Sequence, residues 1–109
     1  MGNYYEPFED VEDVWFWFCS SLLTEDSGWR KADGPFGKER CCETSDIYRI
    51  IKKMRQMKQV TNRHLRVAYK WGMDAISPYY DKRAKKSEVK LWIEMMSFLD
   101  INFRAKGIL

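Results

Sequence analysis

The sequence predicts an all-α fold, a small bundle of about four helices with a long loop after the first, built as one domain over residues 1–109. Three observations lead there. The chain has 109 residues, 45% of them hydrophobic and 16% aromatic, enough apolar surface to close one core and too little length for two. Apolar residues recur at helical spacing in four separate stretches. Disorder needs low hydrophobicity with high net charge, whereas here the formal net charge is only +3.

The first helix is expected near residues 8–23. Pro7 suits a first turn, and Glu9 and Asp10 suit the positive end of the helix dipole. Val14, Trp15, Phe18 and Leu22 then form one stripe, with Phe16 and Trp17 off it. A strand over VWFWF is the alternative, because aromatics suit strands. Residues 24–44 hold Gly28, Gly34, Pro35 and Gly37 and are expected to loop, with Trp29 and Phe36 as anchors.

A second helix is expected over 45–58, capped by Thr44 or Ser45, with Ile47, Ile50, Ile51, Met54 and Met57 on its apolar face. A third is expected over 62–72, capped by Thr61 or Asn62 and ended by Gly72, with Leu65, Ala68 and Tyr69 as its core stripe, widened by Val67 and Trp71 on one flank. The fourth is expected over 87–105 with Gly107 as its C-terminal cap. Its apolar arc, which includes Val89, Trp92, Met96, Leu99 and Phe103, is too wide for one neighbour and marks it as the central helix. Trp92, Met96, Leu99, Ile50, Ile51, Met54 and Leu65 are the expected core.

Function is less legible. The longest apolar run, Val14 to Cys19, is too short to cross a bilayer, and its acidic flank is unlike a secretory leader. The expected location is therefore the cytoplasm. Cys19, Cys41 and Cys42 are odd in number with two adjacent, which suits reduced thiols. With one histidine and no C-x-x-C pair, no metal is expected. No phosphate loop, dinucleotide fingerprint, nucleophile elbow or zinc-protease motif occurs. The expectation is no enzyme, no cofactor and no small-molecule substrate.

The informative feature is charge distribution. Glu6, Glu9, Asp10, Glu12, Asp13, Glu25 and Asp26 precede Ser27 with no Lys or Arg among them. Residues 47–72 carry Arg49, Lys52, Lys53, Arg55, Lys58, Arg63, Arg66 and Lys70 with no Asp or Glu. Two basic amphipathic helices joined by a short turn can follow a phosphate backbone. Arg49, Lys52, Lys53, Arg63, Arg66 and Lys70 are the candidate nucleic-acid contacts; a solvated charged face is the competing reading. Phe16 and Trp17 are the candidate protein-interaction residues, for a partner or a second copy, because exposed Trp is enriched at interfaces; buried core is the competing reading.

VWFWF at 14–18, RCCETSDIYRI at 40–50, RHLRVAYKWG at 63–72 and RAKGIL at 104–109 form a succession that resembles a family of small uncharacterised alphaproteobacterial proteins. That resemblance implies no activity and no ligand residues. The Cys-Cys-acidic stretch leading into a helix, followed by HLRVAYKWGMDA, is also similar to phage late antitermination proteins of the Q type, and in outline to the promoter-binding domain of sigma factors. Where those families carry a DNA-reading unit, this chain has ISPYYDKRAKKSEVKLW with Pro78 inside it. The resemblance thus implies general nucleic-acid affinity rather than reading of a particular sequence.

Overall fold

A computed structural model describes residues 7–26 and 41–109. It contains four α-helices: α1 (Val11–Asp26), α2 (Thr44–Gln56), α3 (Asn62–Met73) and α4 (Lys86–Ala105), with a one-turn 3-10 helix at Pro78–Tyr80 between the last two. No strand occurs among the described residues, and VWFWF lies inside α1. The expected loop anchors Trp29 and Phe36 lie outside the described residues.

Each helix starts on a side chain that satisfies its free backbone donors. Asp10 Oδ1 accepts from the Asp13 N–H at 2.9 Å, and Asp13 Oδ2 accepts from the Glu9 N–H at 2.9 Å. This cap sets the start of α1 at Val11, three residues later than expected, and leaves Pro7 outside the helix. In the other three helices the third helical residue reaches back to the N–H of the capping residue. Asp46 accepts from Glu43 at 2.8 Å, His64 from Thr61 at 3.0 Å and Glu88 from Lys85 at 3.1 Å. The expected Thr44 or Ser45 cap of α2 is therefore replaced by Glu43, because Asp46 is the residue positioned to close the turn.

The ends of α2, α3 and α4 share one device. Lys58 (φ 61°), Ala75 (φ 56°) and Gly107 (φ 75°) are left-handed. Around each, the following N–H returns to a carbonyl five residues back: Gln59 to Met54, Ile76 to Trp71 and Ile108 to Phe103. Gly107 plays its expected part. Gly72 does not end α3; it is buried within it.

The reason is packing. A Cβ at Gly72 would lie 2.5 Å from Trp15 Nε1 and 2.6 Å from Cys19 Sγ, so the missing side chain lets α1 approach α3. Trp15 Nε1, at the same contact, donates to the Ala68 carbonyl at 2.8 Å. The buried face of α3 is accordingly Val67, Ala68, Trp71 and Gly72. The expected stripe residues Leu65 and Tyr69 are only half-buried against the core. The other expected core residues, Ile50, Ile51, Met54, Trp92, Met96 and Leu99, are all buried.

α4 packs on α3, on α1 and on the 3-10 turn, which is the central position its wide arc requires. It runs antiparallel to α3. Gln59, His64 and Lys70 meet Asn102, Glu94 and Glu88 in reverse order, at 3.5, 2.8 and 2.6 Å. α1 is tied to the turn and to α4 through one carboxylate oxygen, Glu12 Oε2, which accepts from Ser77 Oγ (2.9 Å) and Trp92 Nε1 (2.7 Å).

Candidate nucleic-acid interface

On α2 the buried residues Ile47, Ile50, Ile51 and Met54 occupy one side of the helix. At 100° per residue, Arg49, Lys52 and Lys53 fall on the opposite side, and all three are exposed. Arg63 and Arg66 are exposed on α3. Arg49, Lys52, Lys53, Arg55, Lys58, Arg63 and Arg66 form no ion pair among the described residues. The Schellman turn at Lys58 ends α2 and leads through Val60 and Thr61 into α3.

Lys70 differs from the other candidates. Its ammonium lies 2.6 Å from Glu88 Oε2 and 5.5 Å from the centre of the Trp71 ring. The Lys70 contact is also the main cause that holds the Glu88 carboxyl below the usual glutamate range. Lys70 is thus partly engaged in joining α3 to α4.

Arg49 and Lys53 also border a cleft of about 330 Å³ between α2 and the chain that follows α4. Lys106 lies on its other side, and Asp46, Ile50 and Cys42 help to line it. Lys106 is a basic contributor that the sequence pattern missed, because it sits more than fifty residues from the α2 cations. Arg55 and Lys58, although part of the basic run, fall off the face that the periodicity singled out.

The aromatic candidates are placed differently. Phe16 and Trp17 are half-buried and pack against the core. The Phe16 ring stacks on Trp92 at 6.0 Å, and Trp17 meets Phe8 at 5.3 Å. Both residues contribute to closing the bundle around α1.

The thiols occupy contrasting surroundings. Cys19 is buried, and burial pushes its thiol up to about 12. Cys41 is exposed and its thiol donates to the Ile108 carbonyl at 3.6 Å. His64 is engaged on both ring nitrogens: Nδ1 accepts from the Thr61 N–H, which leaves Nε2 to donate to Glu94 Oε1 at 2.8 Å. Among the described residues no group of three or more His, Cys, Asp or Glu side chains is arranged to hold a metal ion. Likewise, no described helix is long and apolar enough to cross a membrane. Comparison of the chain with protein-family models, with curated proteins and with solved structures finds no match.

Proposed function

We propose that this chain is a small non-enzymatic, cytoplasmic helical protein that binds nucleic acid through phosphate contacts along α2 and the first half of α3. Its place is in transcription or another DNA transaction, in keeping with its resemblance to phage antitermination proteins. One observation carries the reading: Arg49, Lys52, Lys53, Arg55, Lys58, Arg63 and Arg66 have no carboxylate partner among the described residues. Solvated ammonium and guanidinium groups in a row release condensed counterions when they meet phosphates, and that release drives binding without base contacts.

The test is a salt titration of duplex binding by the full chain. Affinity should fall with a log–log slope of about −0.9 per phosphate contacted. Neutralising Arg49 with Lys53, or Arg63 with Arg66, should flatten that slope by about 2 for each pair. Lys70→Gln should flatten it less, because Lys70 already pairs with Glu88. Thermal stability should change little in the paired variants, since exposed charges contribute little to folding. Absence of any complex at about 50 mM salt, where phosphate contacts are strong, removes this reading and leaves a protein-interaction or adaptor module in its place.

A further inference from the structure

We infer that the turn carrying Tyr79 and Tyr80 is a base-stacking platform, which makes single-stranded nucleic acid the preferred ligand of this chain. The inference rests on the phosphate-binding reading of the basic face and names its substrate class. Tyr79 is 60% exposed and Tyr80 81%, and the two rings meet edge to face at 4.9 Å. Neither hydroxyl has a hydrogen-bond partner among the described residues. Two large aromatic rings therefore stand largely in solvent, in contact with each other.

Their exposure is built into the backbone. Pro78 is buried and anchors the turn. The Tyr80 and Asp81 N–H groups return to the Ser77 and Pro78 carbonyls, both at 3.2 Å. Ser77 is in turn held by Glu12 on α1. On the far side Arg83 grips Asp81 through Nε at 3.1 Å and Nη2 at 2.8 Å. The tyrosines are thus presented from a turn fixed at both ends, which lowers the ordering cost of binding.

The surrounding charge selects the ligand. Asp81 is the one acid between Ser77 and Ser87, and its charge is taken up by Arg83. Lys82, Lys85 and Lys86 are exposed and form no ion pair among the described residues. Adjacent aromatic rings followed along the chain by cations suit a strand whose bases stack while its phosphates meet ammonium groups. In a duplex the bases are already stacked on each other, so the rings add affinity only for a single strand.

The experiment compares the full chain on one short oligonucleotide, single-stranded and as a duplex, across a salt series. The single strand should bind more tightly. Tyr79→Ala and Tyr80→Ala should each weaken single-strand binding about tenfold, as loss of one stacked base implies. Duplex binding and the salt slope should stay unchanged, because no phosphate contact is lost. Tyr79→Phe and Tyr80→Phe should retain single-strand binding. Equal loss in the Phe and Ala variants overturns the inference, since a hydroxyl and not a ring face would make the contact. A preference for the duplex, unaltered binding in the Ala variants, or capture of an acidic peptide in place of the oligonucleotide overturns it as well. Those results leave the salt-dependent duplex binding standing; absence of all nucleic-acid binding removes both readings.

Discussion

Substituting Ala at Gly72 tests the packing of the bundle at its tightest point, and the sign of the effect is decisive. In an ordinary helix interior Gly→Ala stabilises by about 0.5–1 kcal/mol through backbone entropy. Here the new methyl would meet Trp15 Nε1 at 2.5 Å and Cys19 Sγ at 2.6 Å. Trp15 and Cys19 are both fully buried, so neither can swing into solvent. Overpacking a core of this kind costs about 1–3 kcal/mol. Pushing the indole away also strains its 2.8 Å bond to the Ala68 carbonyl, and leaving a buried donor unmet costs about another 1–3 kcal/mol. Set against the gain in propensity, the net effect is a loss of about 1–5 kcal/mol. Urea denaturation followed by tryptophan fluorescence measures it directly. Adding Cys19→Ala should return part of the loss, because it removes one of the two clashing atoms. A Gly72→Ala variant as stable as the parent, or more stable, would refute the close approach of α1 to α3.

Two further outcomes follow from other contacts. Glu12→Ala should cost about 2–4 kcal/mol, since it deprives Trp92 Nε1 and Ser77 Oγ of a shared charged acceptor. Glu12→Gln, which keeps an oxygen in place, should cost much less by the same denaturation assay. Alkaline pH should destabilise the fold, because burial pushes the Cys19 thiol from 9.0 and the Tyr69 phenol from 10.0 up to about 12. The unfolded chain then releases these protons first, so stability is full below about pH 9 and is lost as pH rises toward 12. Urea midpoints that stay level between about pH 8 and pH 11 would contradict this; Cys19→Ala should make the decline shallower.

How far the sequence carried the fold can be seen at α3. Its existence, its Thr61 cap and its approximate limits follow from local chemistry, and the structure contains them. Its buried face followed in part: Val67, Ala68 and Trp71 are buried as expected, but Leu65 and Tyr69 are only half-buried and Gly72 joins the face, because its centre is set by another helix. Gly72 carries no side chain to enter a periodicity pattern, yet it is where α1 comes nearest. Gly72 is also not the residue that turns the chain at the end of α3; Ala75, three residues on, adopts the left-handed conformation that glycine usually takes. α2 and α4 were more legible because most of their apolar stripe faces the core without such a contact, although Met57, expected on the stripe of α2, lies past its end and is exposed; Gly107 does occupy the left-handed position. At the candidate site, the basic run on α2 and α3 was visible as a run of residue types. The Tyr79–Tyr80 pair was not, since exposure of a tyrosine in a turn depends on how that turn is pinned by Glu12 and Pro78.

The small net charge of +3 understates what a phosphate would meet on this surface. Of the acidic residues at the start of α1, Asp10 and Asp13 are spent on the helix cap and Glu12 on Ser77 and Trp92. Asp46 closes the first turn of α2, Glu88 that of α4, and Glu94 holds His64. These carboxylates are committed to backbone donors and neighbouring side chains, all but Glu94 at helix starts where the dipole already favours them. The cations of α2 and of the first half of α3 have no such commitments among the described residues. At physiological salt the screening length is about 8 Å, so a bound anion responds to the charges beside it and not to the sum over the chain. Arg49, Lys52, Lys53, Arg63 and Arg66, exposed and unpaired among the described residues, therefore offer an anion a more positive local charge than the net +3 suggests. Charge-reversing distant acids should leave the binding slope untouched, whereas single neutralisations at Arg49, Lys53, Arg63 or Arg66 should each lower it by about 0.9.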